Sequence, residues 1–150
     1  MKMITPVLAL TFLAFTAPLA YGSDAQQQEI NKNSVVAFYE QAINQKDFAA
    51  AQKYMGSRYT QHNPMAQDGP QGLQGYISFL REKFPNSHSD IKHVFADGDY
   101  VILHVHAVLD PGTRGQAIMD IFKLDKGKII EHWDVIQDIP ERPANSNGMF

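Results

Sequence analysis

The sequence predicts an α+β domain, and three observations carry that reading. From residue 33 to about 84 the apolar residues recur at helical spacing. From 87 to 137 they alternate, and the alternating runs are separated by short turns that contain glycine. Helices first and an antiparallel run of strands after them give helices packed on one face of a sheet. The 150 residues suffice for one such domain with its own core.

The elements follow in chain order. Residues 1–22 open with Lys2, run through an apolar tract from Ile4 to Ala20, and end on the small residues Ala20 and Gly22. This is the pattern of a secretory signal peptide. Pro6, Pro18 and the lack of a basic far flank argue against a membrane anchor. The expectation is export to the periplasm or beyond, with no lasting membrane association once the signal is cleaved. Residues 23–32 are polar and read as a flexible leader, 33–140 as the domain and 141–150 as a tail.

Within the domain, Val35, Val36, Tyr39, Ala42 and Ile43 form one helical stripe. Asp47 reads as the N-cap of a short second helix carrying Phe48, Ala51 and Met55. "RYTQHNP" is β-prone and stopped by Pro64, and "AQDGPQGLQG" reads as a loop. A third helix is expected from Leu73 to Phe84, with Leu73, Ile77 and Leu80 on one face. Four strands follow in "SHSDIKHVFA", "YVILHVHAVL", "RGQAIMDIFKL" and "KIIEHWDVIQ", joined by "DGD", "DPGT" and "DKG".

Composition removes several function classes. With no cysteine the chain has no disulfide framework and no thiolate metal site. A net charge of −3 without a basic stripe argues against nucleic acid as a partner. There is no Gly-x-Ser-x-Gly elbow and no His-Glu-x-x-His helix. His104 and His106 share one strand face, but no spacing motif supplies a third ligand, so no metal and no cofactor are expected. What remains is acid/base chemistry in an apolar cavity.

Alternation selects the candidates. Ile118, Asp120, Phe122 and Leu124 share a face, with Lys123 on the other, so Asp120 is expected on the helix-covered side. Ile130, His132, Asp134 and Ile136 share a face of the next strand, and a tight turn brings it beside the first. In "TQHNP" only one of His62 and Asn63 can point inward, and the residues leave both open. The expected catalytic set is Asp120, His62 and His132. Asn63, Asp134, Tyr39, Tyr59, Phe122 and Trp133 are the expected ligand contacts.

"YTQHNP", "GPQG" and "MDIFKLDKGKIIEHWDVIQDIP" together resemble the SnoaL-like polyketide cyclase group of the nuclear transport factor 2-like superfamily. The resemblance spans roughly residues 33 to 140, and its most specific part is the last motif. It implies a cone-shaped curved antiparallel sheet around an N-terminal helix, a pocket at one end, and homodimers paired through the outer sheet face. It further implies that Asp120 handles the proton of an intramolecular aldol closure without a cofactor. In the related ketosteroid isomerases a carboxylate base stands where this chain has Asn63, so that base is missing here. The resulting expectation is an exported cofactor-free enzyme acting on a small apolar or carbonyl-containing ligand. The rival is a non-catalytic periplasmic binding or dimerisation module.

Overall fold

The computed structural model describes residues 19–150. The expected signal peptide therefore lies outside the described residues up to position 18. Helix α1 runs Leu19–Tyr39 and continues through a wide turn over Glu40–Asn44, where Gln45 N donates to Glu40 O at 2.9 Å. The expected flexible leader is thus helical. Ala25 to Glu29 are all good helix formers. Just beyond them, Asn31 (1% exposed) accepts from Gln27 Nε2 at 2.9 Å and donates from Nδ2 to Gly98 O at 3.4 Å. That second bond ties the helix to the first hairpin turn of the sheet.

The wide turn fixes the end of the helix against the sheet. Asn44 Oδ1 accepts from Ser89 N at 2.9 Å, and its Nδ2 donates to Ser89 O at 3.0 Å. Lys46, at φ 54°, turns the chain, and Asp47 caps α2 (Phe48–Ala51) by accepting from Ala50 N at 3.0 Å. Met55, expected on that helix, instead opens β1 (Met55–Gln61), because a single tight turn over Gln52–Tyr54 ends the helical run.

Helix α3 spans Gly69–Lys83, starting four residues ahead of the expected Leu73. Pro70 in its first turn needs no N–H partner, so "DGP" is a helix start and not a loop. Leu73, Ile77 and Leu80 are its buried face.

Strands β2 (His88–Asp97), β3 (Tyr100–Val108), β4 (Gln116–Asp125) and β5 (Lys128–Asp138) form the expected antiparallel meander. Lys126 and Gly127, at φ 50° and 75°, make the tight turn between β4 and β5. The sheet is not antiparallel throughout: β1 adds beside β5 in parallel, giving the order β1-β5-β4-β3-β2 in a curved five-stranded sheet.

The core lies between that sheet and the helices. Val35, Phe38 and Ala42 of α1 and its wide turn meet Leu73 and Ile77 of α3 over Val101, Leu103, Val105, Phe122, Leu124 and Ile129. Burying each of the larger side chains stabilises the fold by about 1.5–3 kcal/mol. Ile129 takes the core position that alternation assigns to Ile130. Lys123 pairs with Glu131 but Leu124 pairs with Ile129, so Ile130 is an extra residue in the ladder.

Beyond β5 the chain has no regular structure. Ile139 N donates to Gly115 O at 3.2 Å, and the Phe150 ring rests against His104 and His106 on the outer sheet face. No helix among the described residues is long and apolar enough to cross a membrane.

Candidate functional site

Between the inner sheet face, α1 and α3 lies a cavity of about 620 Å³. Phe38 and Tyr39 of α1, Tyr76 and Phe79 of α3, and Tyr59 and Phe122 of the sheet supply its aromatic walls. One group of its polar residues sits at three adjacent strands. Asp120 comes from β4, His132 and Asp134 from β5, and Gln61 from the end of β1, with Asn63 just beyond.

Asp120 sits where alternation puts an inward side chain, and it is only 5% exposed. Its Oδ1 lies 3.0 Å from His132 Nε2, while its Oδ2 is buried without a hydrogen-bond partner. A buried polar atom left unpaired costs about 1–3 kcal/mol. Asp134 stands directly across the β4–β5 ladder from Asp120. Burial pushes the Asp120 carboxyl above its ordinary value, and the Asp134 charge adds to that. The hydrogen bond and charge of His132, and the Tyr39 hydroxyl, pull the other way.

The tautomer of His132 follows from its second nitrogen. Nδ1 lies 3.0 Å from Gln61 Oε1, which also accepts from Asn63 N at 2.9 Å. The Asn63 amide fixes that Gln61 atom as an oxygen, so His132 Nδ1 must be a donor. The space between His132 Nε2 and Asp120 Oδ1 then holds one further proton, on the acid or on the ring. The pair is neutral overall in either form. Phe122 at 4.8 Å and Tyr59 at 6.4 Å between ring centroids hold the imidazole plane.

Two phenols complete the polar floor. Burial, reinforced by the Asp120 charge, raises the pKa of both Tyr39 and Tyr59 well above the usual tyrosine range. Both hydroxyls therefore stay protonated and available as donors. Asn63 Nδ2 donates to both oxygens of Asp134 at 2.8 Å, and Asn63 Oδ1 accepts from Met65 N at 2.8 Å.

The structure brings seven of the nine expected residues to one cavity: Asp120, His132, Asp134, Asn63, Tyr39, Tyr59 and Phe122. His62 and Trp133 lie elsewhere. With His132 and Asp134 facing inward, Trp133 must face outward, and with Gln61 and Asn63 inward the same holds for His62. The two rings stack on the outer face at 4.4 Å and 2° between planes. His62 Nε2 reaches Glu131 Oε2 there at 3.3 Å, beside the Arg58–Glu131 ion pair at 3.0 Å. The expectation of His62 as a catalytic group and of Trp133 as a ligand contact is corrected accordingly.

Gln61 is the cavity residue that sequence reasoning does not single out. Its signal is the spacing Tyr59, Gln61, Asn63, which puts all three on one face.

Asp120, His132 and Asp134 each offer a ligand atom within 4.8 Å of the others, the one group among the described residues with metal-ligand spacing. A metal there would have to break the Asp120–His132 bond or compete with Asn63 for Asp134. His104 and His106 are remote from the cavity. His104 Nδ1 faces His93 Nδ1 at 3.4 Å, and His106 Nε2 lies 2.8 Å from Arg114 O.

Comparison with known proteins bears on the fold. A family model described as SnoaL-like polyketide cyclase matches residues 33–142. A protein of unknown function from Burkholderia xenovorans, described as NTF-2 like, superposes with a TM-score of 0.63 at 17% identity, over 79% of this chain and 91% of its own. TsrD from Streptomyces laurentii gives 0.61 at 17% identity, over 73% and 89%. A protein from Acidithiobacillus ferrooxidans, provisionally titled a polyketide cyclase, gives 0.59 at 21% identity, over 71% and 87%. At such identities these structures speak for the fold alone. No curated protein matches the chain.

Proposed function

The chain belongs to the SnoaL-like polyketide cyclase family, and from that premise we propose that it is an exported, cofactor-independent acid/base enzyme acting on a small carbonyl compound by an aldol or isomerising proton transfer. The observation that carries the reading is the Asp120–His132 pair on the cavity wall: one carboxyl oxygen is bound to the imidazole and the other is buried and unbonded.

In the charge-separated form of the pair, Asp120 Oδ2 takes a proton from the carbon α to the ligand's carbonyl. The electron pair of the broken C–H bond moves into the carbonyl unit to give an enolate, and Tyr39 or Tyr59 donates to its oxygen. Removing a donor of that kind from other enzymes costs about 10²–10³ in kcat. The new Asp120 proton then returns to carbon or to the aldol oxygen, which regenerates the pair. Gln61 holds His132 in the tautomer this requires.

A probe of the first step needs no knowledge of the natural substrate. The mature protein is incubated with a panel of small ketones in D2O, and α-hydrogen exchange is followed by NMR. Asp120→Asn keeps the bond to His132 Nε2, now with an amide donor, but cannot accept a proton. The expected loss of exchange is at least about 10²-fold, the lower range for a general base. Exchange by Asp120→Asn at the wild-type rate would exclude the role.

A further inference from the structure

The charge of the cavity restricts what it can take. Among its lining residues are two carboxylates, Asp120 and Asp134, and no lysine or arginine. Both Asp134 oxygens accept from the Asn63 side chain, which is a neutral amide and not a balancing cation. The Asp120–His132 pair adds no compensating positive charge. Asp120 Oδ2 is an acceptor in both forms of that pair, because the shared proton sits on the Oδ1 side.

The cavity therefore carries carboxylate charge that no lysine or arginine balances, beside aromatic rings of the kind that attract cations. We propose that the cavity is selective for a ligand bearing a protonated amine on an apolar or aromatic body, and that it rejects carboxylates, phosphates and other anions. The ammonium sits at Asp134, beside Asp120, since one carboxylate oxygen of each residue lies within 4.8 Å of the other. The apolar body lies along Phe38, Tyr76, Phe79 and Leu73. An organic cation is favoured over a bare metal ion because it would fill a cavity of about 620 Å³ and leave the Asp120–His132 bond intact.

The inference rests on this cavity being a small-molecule site, and not on turnover. Its reaction counterpart is an amine-bearing carbonyl substrate.

Three probes with one skeleton separate the possibilities: 2-phenylethylamine, 2-phenylethanol and phenylacetate, titrated into the mature protein by calorimetry at neutral pH and low salt. The amine is expected to bind at least about tenfold more tightly than the acid, with the alcohol between them. Tenfold corresponds to about 1.4 kcal/mol. Asp134→Asn, with folding checked by circular dichroism, should reduce the amine's advantage over the alcohol to within about threefold.

Phenylacetate binding as tightly as the amine overturns the proposal, as does failure of all three probes to bind at millimolar concentration. A parallel Zn²⁺ titration covers the metal: Zn²⁺ binding that Asp120→Asn abolishes, without amine binding, also overturns it. The ketone-exchange experiment reads a different property. Loss of exchange in Asp120→Asn with no charge preference among the probes would leave the acid/base reading standing and remove this one.

Discussion

Asp120 holds a carboxyl at 5% exposure with one oxygen unbonded, and the penalty for this depends on pH. Burial raises its folded-state pKa above the unfolded value of about 3.9. The residue's stabilising contribution is therefore complete below that unfolded value and is lost as pH rises through the folded pKa. Asp120→Asn does not titrate and imitates the protonated acid. Urea melts should show the variant more stable than wild type at pH 7, with the gap closing towards pH 4. A variant less stable than wild type at pH 7 would mean that the His132 interaction outweighs desolvation. Asp120, His132 and Asp134 are legible in the sequence because period-two alternation alone sets their side. Gln61 is not, because an amide has no acid/base chemistry of its own. Its role appears only when His132, 71 residues away, is set beside it. The choice between His62 and Asn63 turns on the parity of Tyr59, which only the packed strand makes plain.

The helices show where local signals mislead. Gly69, Gly72 and Gly75 read as a loop, yet they belong to the first turns of α3. Gly72 is required there by close approach: a Cβ would fall 2.0 Å from Gln67 O. That strand-to-helix loop also carries Asp68, whose Oδ1 accepts from Gln61 N at 2.8 Å. Gly72→Ala must push the loop away and is expected to destabilise by about 1–3 kcal/mol, the usual range for overpacking. Gly75→Ala, with nothing within 4 Å of the new carbon, should instead be neutral or stabilise by up to about 1 kcal/mol through helix propensity. Thermal melts of the two variants make the comparison, and equal effects would show that backbone proximity at Gly72 is not limiting. The four later strands and their turns are legible apart from the extra residue at Ile130, since alternation and glycine placement are local properties. The parallel partner of β1 is not, because pairing over such a separation leaves no mark on either strand.

For the molecule as a whole, the outer sheet face is the part left uncovered by helices. Phe95, Met119 and Val135 project from it at 54%, 37% and 67% exposure, and Met119 pairs directly with Val135. We propose that two copies associate through this face, beside the area occupied by Phe150. Sedimentation should then report a dimer for the wild-type chain and a monomer for Val135→Lys, and a wild-type monomer at high micromolar concentration would exclude it. The parallel seam between β1 and β5 has a different kind of consequence. Asp120 and His132 meet across a tight hairpin turn, whereas Gln61 and Asn63 reach them only once the ends of the domain have come together. Loop-closure entropy makes such a distant pairing slow to form. Part of the polar floor is thus local and the rest is contingent on topology, so the cavity is complete only once the chain's most distant strands have paired.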